Sequence, residues 1–255
     1  MAIFVLQEAP DLPRVGAEDV TVVLDLLTSE REALRSETRR LWNQIHALLL
    51  QIDPEYKSHL PSFDSRSVLA LLEAYEAQSA DLVQQERAAA VRRLAQRLRL
   101  AQGQAEALAH EIETRTAAAG FSPLTEIHGI GLILAGTLAG ILGPGWRFRT
   151  DAELAAYAGA APLEASSAGL VRHRLNRGGN RRLNSLVYMI VLTQLRSWHP
   201  AQAYMARRLA EGKTKREAMR ALKRFVIRAI WNAWKRCLLA LAPKPANRSE
   251  LSLAS

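Results

Sequence analysis

Two long stretches with no interior proline dominate the first half of the chain, and they leave little choice of fold. From about Glu18 to Gln51 the apolar residues Val20, Val23, Leu24, Leu27, Leu34, Leu41, Ile45, Leu48 and Leu49 recur at intervals of three and four, which gathers them on one face of an α-helix. Asp53-Pro54 ends it, because the residue before a proline is driven out of the helical region. From Asp81 to about Ala119 the sequence is rich in Ala, Gln, Arg, Glu and Leu and has a single glycine, Gly103. Its apolar seam runs near Leu82, Leu94, Leu98, Ala101, Ala105, Leu108 and Ile112. At 1.5 Å per residue each stretch makes a rod about 50–60 Å long. Rods of this length joined by a compact connection pair most simply as an antiparallel coiled-coil arm. The second seam is alanine-rich and imperfect, so its partner is either the first helix alone or a second copy of the chain as well, and a homo-oligomer through the arm is expected.

The composition changes at Gly120-Phe-Ser-Pro123. Four parts are expected: a remnant or tail over 1–16, a helical arm over 17–120, a helical domain over 121–242, and a Pro- and Ser-containing disordered tail over 243–255. Leu124 to Leu142 reads as helix, turn, helix with Ile127-His-Gly-Ile-Gly131 at the turn. Gly129 and Gly131 let the backbone turn tightly and leave free N–H groups at the next helix start, a natural seat for a phosphate. This is the pattern of a helix-hairpin-helix module, and also of a plain interhelical turn. Thr150 is expected to cap a helix through Leu154 and Tyr157, Asn180 another through Leu183, Leu186, Val187 and Ile190, and Gly212 to precede the last long one. Residues 163–176 alternate loosely enough for a short β-hairpin. The fold class is therefore mainly α, with a coiled-coil arm, a helical domain and one hairpin.

Charge separates the two halves. Residues 1–121 hold 13 Lys+Arg against 18 Asp+Glu, and residues 122–245 hold 20 against 6, a balance of −5 followed by +14. A polyanion, DNA above all, is the partner such a second half suits. Arg172, Arg174, Arg177, Arg181 and Arg182 cluster around a Gly-Gly-Asn turn at Gly178 to Asn180. In the last helix Arg216, Arg220, Arg224 and Arg228 recur every four residues while Ala218, Leu222, Phe225, Ala229, Ala233 and Cys237 lie on another side. That ladder of guanidinium groups, with Glu217 the one carboxylate among them, suits phosphate contact. One cysteine, Cys237, excludes a disulfide framework or a cysteine zinc site within one chain and fits a cytoplasmic protein. The most apolar run, Ile127 to Leu142, is about sixteen residues and glycine-containing, short for a membrane span. Ser166 and Ser167 precede the arginine cluster, where a serine hydroxyl would attack a phosphate if it lost its proton and faced cations; Ser-Ser-x-Gly is also ordinary loop composition.

The second half is similar to the transposase domain of the insertion sequence 110 family. The likeness rests on the order and spacing of Ile127-His-Gly-Ile-Gly131, Trp146-Arg-Phe, Leu154-Ala-Ala-Tyr-Ala-Gly-Ala-Ala-Pro162, Ala165-Ser-Ser-Ala-Gly169, Arg177-Gly-Gly-Asn-Arg-Arg-Leu183 and Glu211-Gly-Lys-Thr-Lys-Arg-Glu-Ala-Met-Arg-Ala-Leu222. It covers about residues 122–237, and the helices before it resemble the family's coiled-coil segment. The resemblance implies DNA transposition, with a serine nucleophile from this domain, a structured guide RNA, and an N-terminal RuvC-like acidic domain that binds divalent metal such as Mg. In the family pattern the serine stands five residues after the proline and directly before a glycine. Counting from Pro162 gives Ser167, with Ser166 as the alternative, since here Ala168 separates the serine from Gly169. About sixteen residues precede the first long helix, and Asp11, Glu18, Asp19 and Asp25 do not replace an acidic domain, so a truncated transposase, inactive alone and with no cofactor of its own, is the expectation. The alternative is a non-catalytic DNA-binding regulator or decayed copy derived from one.

Overall fold

The computed structural model describes residues 18–62, 67–144, 147–161, 163–164, 173–174 and 178–241. Helix α1 (Val20–Ile52) starts where the Asp19 carboxylate accepts from the Thr21 amide at 2.8 Å and stops at Asp53. Helices α2 (Tyr56–His59) and α3 (Val68–Glu73) fold the connection. Helix α4 (Leu82–Ala118), capped by Asp81, then returns along α1. The pair is antiparallel. Leu24 near the start of α1 and Ile112 near the end of α4 both meet Gly136 of α5 (Leu132–Leu142), and Glu37 meets Arg97 halfway along at 3.3 Å.

The outer part of this pair has its own core, in which Leu41, Ile45 and Leu49 of α1 and Val91, Ala95 and Leu98 of α4 close over Tyr56, Val68 and Leu72 of the connection. The seam of α4 holds Leu98, Ala101 and Ile112 as expected but not Leu82, which is 77% exposed, and it adds Ala88, Val91 and Ala95. Small side chains bring the two helix axes close, and a search for large apolar residues passes over them.

A second core gathers around α5. It takes in Leu24 of α1 and Ile112 of α4 together with Leu138, Leu154, Leu183, Ile190 and Trp234, so the root of the arm and the C-terminal helices share one interior. Gly136 and Gly140 make this possible. A Cβ on Gly140 would fall 2.7 Å from the Asp25 backbone nitrogen, and one on Gly136 would fall 2.9 Å from Ile112 Cγ2. Helix α5 therefore crosses α1 at backbone contact at Gly140 and packs directly on α4 side chains at Gly136, which no larger residue permits without a shift.

The first helix of the expected pair over Leu124–Leu142 is a five-residue 3₁₀ turn, Ser122–Glu126, and only α5 is α-helical. Pro123 opens the turn, but Gly129 adopts the left-handed backbone (φ 92°) too soon after it for an α-helix to propagate. The chain continues through α6 (Asp151–Tyr157), β1 (Leu163–Glu164), β2 (His173–Arg174), α7 (Arg181–Ser197), α8 (His199–Ala210) and α9 (Lys215–Leu241). Strands β1 and β2 are antiparallel, with Leu163 opposite Arg174 and Glu164 opposite His173, as the alternation over 163–176 predicts. The fold is mainly α. No helix among the described residues is long and apolar enough to cross a membrane.

Helix α9 corrects one assignment. Phe225 stands 52% exposed, while Val226, Ile227 and Ile230 join Ala218, Leu222, Ala233 and Cys237 in the interior. Helix α9 packs against both α7 and α8, so its buried stripe is broader than one neighbour would require and turns Phe225 to its edge, edge-on to Tyr204 at 5.2 Å. The tail over 243–255 and the segment over 1–16 lie outside the described residues.

Candidate nucleic-acid interface

The hairpin strands bracket residues 165–172, and its two legs are joined at the base by local capping chemistry. Helix α6 begins as expected: Thr150 Oγ1 accepts from the Glu153 amide at 3.2 Å, and the Glu153 carboxylate accepts from the Arg149 amide at 2.7 Å. It ends at Gly159, in the left-handed region at φ 66°. Asn180 caps α7 through Oδ1, which accepts from the Leu183 amide at 2.9 Å. That bond fixes the amide orientation and leaves Nδ2 to donate to the Tyr157 hydroxyl oxygen at 2.8 Å. The Asn180 backbone N–H donates to the Tyr157 carbonyl at 2.6 Å. Gly179 lies backbone to backbone on Gly159, where a Cβ would come within 2.5 Å of the Gly159 Cα. Arg147 completes the junction. It donates to the Ile141 carbonyl at 3.1 Å and to the Tyr157 hydroxyl at 3.0 Å, with its guanidinium 4.8 Å above the Tyr157 ring and 5.4 Å from the Phe148 ring.

Ser166, Ser167, Arg172 and Arg177 lie outside the described residues, and of Arg174 only its backbone place opposite Leu163 is described. The remaining arginines divide into two groups. Arg181, Arg216 and Arg220 are exposed and make no ion pair among the described residues. Arg182, Arg224 and Arg228 are engaged internally. Arg182 reaches from α7 to α1, meeting Asp25 at 2.5 Å, Glu32 at 3.0 Å and the Thr28 hydroxyl at 2.7 Å. The Thr28 hydroxyl in turn donates to the Leu24 carbonyl at 2.7 Å. Arg224 and Arg228 both clasp Asp151 at the start of α6, at 2.9 and 3.3 Å. Partial desolvation works against ionisation of Asp151, but the hydrogen bond from Arg228 and the charge of Arg224 prevail and hold its carboxyl below the ordinary range. The ladder of four is thus open at its N-terminal half and structural at its C-terminal half.

The Gly-x-Gly turn packs on α7. A Cβ on Gly129 would meet Thr193 Cγ2 at 3.3 Å, Gln194 donates to the His128 carbonyl at 2.9 Å, and the His128 ring stacks on Trp198 at 5.8 Å while bonding the Ser197 hydroxyl at 2.9 Å. Gly131 faces open space at the start of α5, which has no side-chain cap.

Arg147, Tyr157 and Lys223 are functional candidates that sequence reasoning missed. Lys223 bonds Asn184 Oδ1 at 2.5 Å, lies 5.2 Å from the Tyr188 ring centre and has no carboxylate partner among the described residues, and burial pushes its amine below the ordinary lysine range. Arg147 and Tyr157 stand within the motifs that carry the family likeness, but their roles depend on Asn180, and that of Lys223 on Asn184, which the tertiary structure brings to them.

Among the described residues no three His, Cys, Asp or Glu side chains come together as metal ligands, and Asp25 is already bound by Arg182. The described residues do not fit the divalent metal that the resemblance implies, and no chemical step is derived through it.

The described scaffold is mainly α-helical and leaves Arg181, Arg216 and Arg220 exposed, with no ion pair among the described residues. Residues 122–207 match the Transposase IS116/IS110/IS902 family. The chain is also 28% identical over 248 residues to the insertion element IS110 uncharacterized 43.6 kDa protein of Streptomyces coelicolor, a likeness covering 81% of this chain and 61% of that protein. Both likenesses are to proteins of IS110-type insertion elements. It spans about three-fifths of the length of the curated relative it matches.

Proposed function

We propose that this chain acts in DNA transposition, holding DNA through the basic surface of its second half and supplying a serine nucleophile, Ser167 with Ser166 as the alternative, from the segment between the hairpin strands. The observation that carries the binding part is the set of unpaired cations, Arg181, Arg216 and Arg220, in and just after the segment that matches the transposase family. Gly131, open at the start of α5, adds backbone N–H groups to that surface. In the chemical step the serine Oγ bonds to a backbone phosphorus as the bond to one deoxyribose oxygen breaks, the serine proton leaving to solvent and the departing oxygen taking one up. The partners on this reading are DNA, a structured guide RNA, a RuvC-like acidic domain holding divalent metal, and a second copy of the chain paired through the arm.

Duplex binding by the full chain, followed over a salt series, tests the first part. Affinity is expected to fall linearly with salt on logarithmic axes, and affinity unchanged from low to moderate salt overturns it. For the chemistry, the chain is joined to a family RuvC-like domain ahead of Glu18 and supplied with guide RNA, DNA and Mg. A covalent protein–DNA adduct is expected, lost in Ser167→Ala with DNA affinity retained. Loss in Ser166→Ala alone moves the nucleophile to Ser166. Loss in neither removes the serine assignment and leaves the chain a non-catalytic DNA-binding protein.

A further inference from the structure

The hydrogen-bond inventory at the base of the hairpin is incomplete on one side only. The Tyr157 hydroxyl oxygen has two lone pairs, and both are taken, by Arg147 Nη2 at 3.0 Å and Asn180 Nδ2 at 2.8 Å. Neither neighbour can accept, because guanidinium has no acceptor and the Asn180 oxygen is turned to the Leu183 amide. The phenolic hydrogen therefore has no acceptor among the described residues. Arg147 is in the same position with respect to charge. Its contacts are a carbonyl, a hydroxyl and two aromatic faces, all neutral, and it makes no ion pair among the described residues. Arg181, directly after Asn180, is exposed and makes no ion pair among the described residues.

We propose that Tyr157, Arg147 and Arg181 form a seat for one backbone phosphate of DNA, in which the Tyr157 hydroxyl donates its hydrogen to a phosphate oxygen between the two guanidinium groups. What Tyr157, Arg147 and Arg181 have left to offer is a donor hydrogen and two positive charges, which suits an anion rich in acceptors. The junction is rigid because it joins the end of α5, the end of α6 and the start of α7, so the phosphate would be fixed relative to the hairpin legs. This rests on the DNA-binding reading above and gives it one position.

The test uses the full chain and duplex DNA, with anisotropy measured over a salt series. Tyr157→Phe keeps the ring under Arg147 and removes one donor but no charge. Binding is expected to weaken roughly tenfold at every salt concentration with the slope unchanged. Arg181→Gln removes one phosphate-facing charge at an exposed position that does not support the fold, and the slope is expected to shrink by about one. Tyr157→Phe binding as tightly as the parent, even with a lowered melting temperature, overturns the seat, as does Arg181→Gln with the parent slope. A parent that fails to bind duplex DNA at all overturns the DNA-binding reading instead, so the two failures are distinct.

Discussion

Arg181 and Arg182 are adjacent, yet one step of about 100° around the helix sends the first to solvent and the second to Asp25, Glu32 and Thr28 of α1. Residue type alone does not separate these roles; the partner brought by the fold does. Arg182→Met is expected to destabilise the chain by about 1–2 kcal/mol in chemical denaturation, the lower end reflecting partly solvent-screened partners, while duplex DNA affinity stays within about twofold. A large loss of DNA affinity with unchanged stability would reverse the assignment. Asp151 makes a pH prediction. Its folded carboxyl is held below the ordinary range by Arg228 and Arg224 despite opposing desolvation, so its contribution is present above the unfolded pKa and disappears as pH falls through the folded one. Asp151→Asn is expected to flatten the decline in melting temperature over the acid range below about pH 4. An unaltered acid profile would show that the clasp does not couple to folding.

Helix α9 carries its arginines at a regular interval, but Arg224 and Arg228 reach Asp151 at the start of α6 while Arg216 and Arg220 make no ion pair among the described residues. Replacing Arg216 and Arg220 together by Gln is expected to shrink the salt slope of DNA binding by about two. The Arg224→Gln variant is expected to lower the melting temperature and leave that slope nearly unchanged, since its charge is already met by Asp151. Glycines in the helices divide in the same way. Gly140 touches the Asp25 backbone, so Gly140→Ala is expected to destabilise by about 1–3 kcal/mol. Gly103, in mid-α4 with nothing within 4 Å of a built Cβ, is expected to stabilise by about 0.5–1 kcal/mol as Gly103→Ala. Urea denaturation of both variants checks the crossing of α5, and equal effects would contradict it.

At the scale of the whole chain, two cores divide the work: one closes the outer arm and the other joins the arm's root to the C-terminal helices. The arm also keeps Leu100 and Leu71 exposed, which accords with pairing to a second copy. Sedimentation is expected to give a mass above the 28.2 kDa of one chain, reduced to it by Leu71→Glu with Leu100→Glu; a parent sedimenting as a single chain at every concentration removes the oligomer. The long helices, their caps at Asp53-Pro54, Thr150 and Asn180, and the basic character of the second half were legible from the amino-acid order, because periodicity, capping and charge act between residues within a few positions of each other. Transposase likeness was legible too, through spaced motifs. Which arginines remain free, why Gly136 and Gly140 stand in α5 and the Arg147–Tyr157–Asn180 junction were decided only by the tertiary structure. In each case the deciding contact joins segments far apart in sequence, such as Arg182 with Asp25 and Arg224 with Asp151, and no local pattern encodes a partner at that distance.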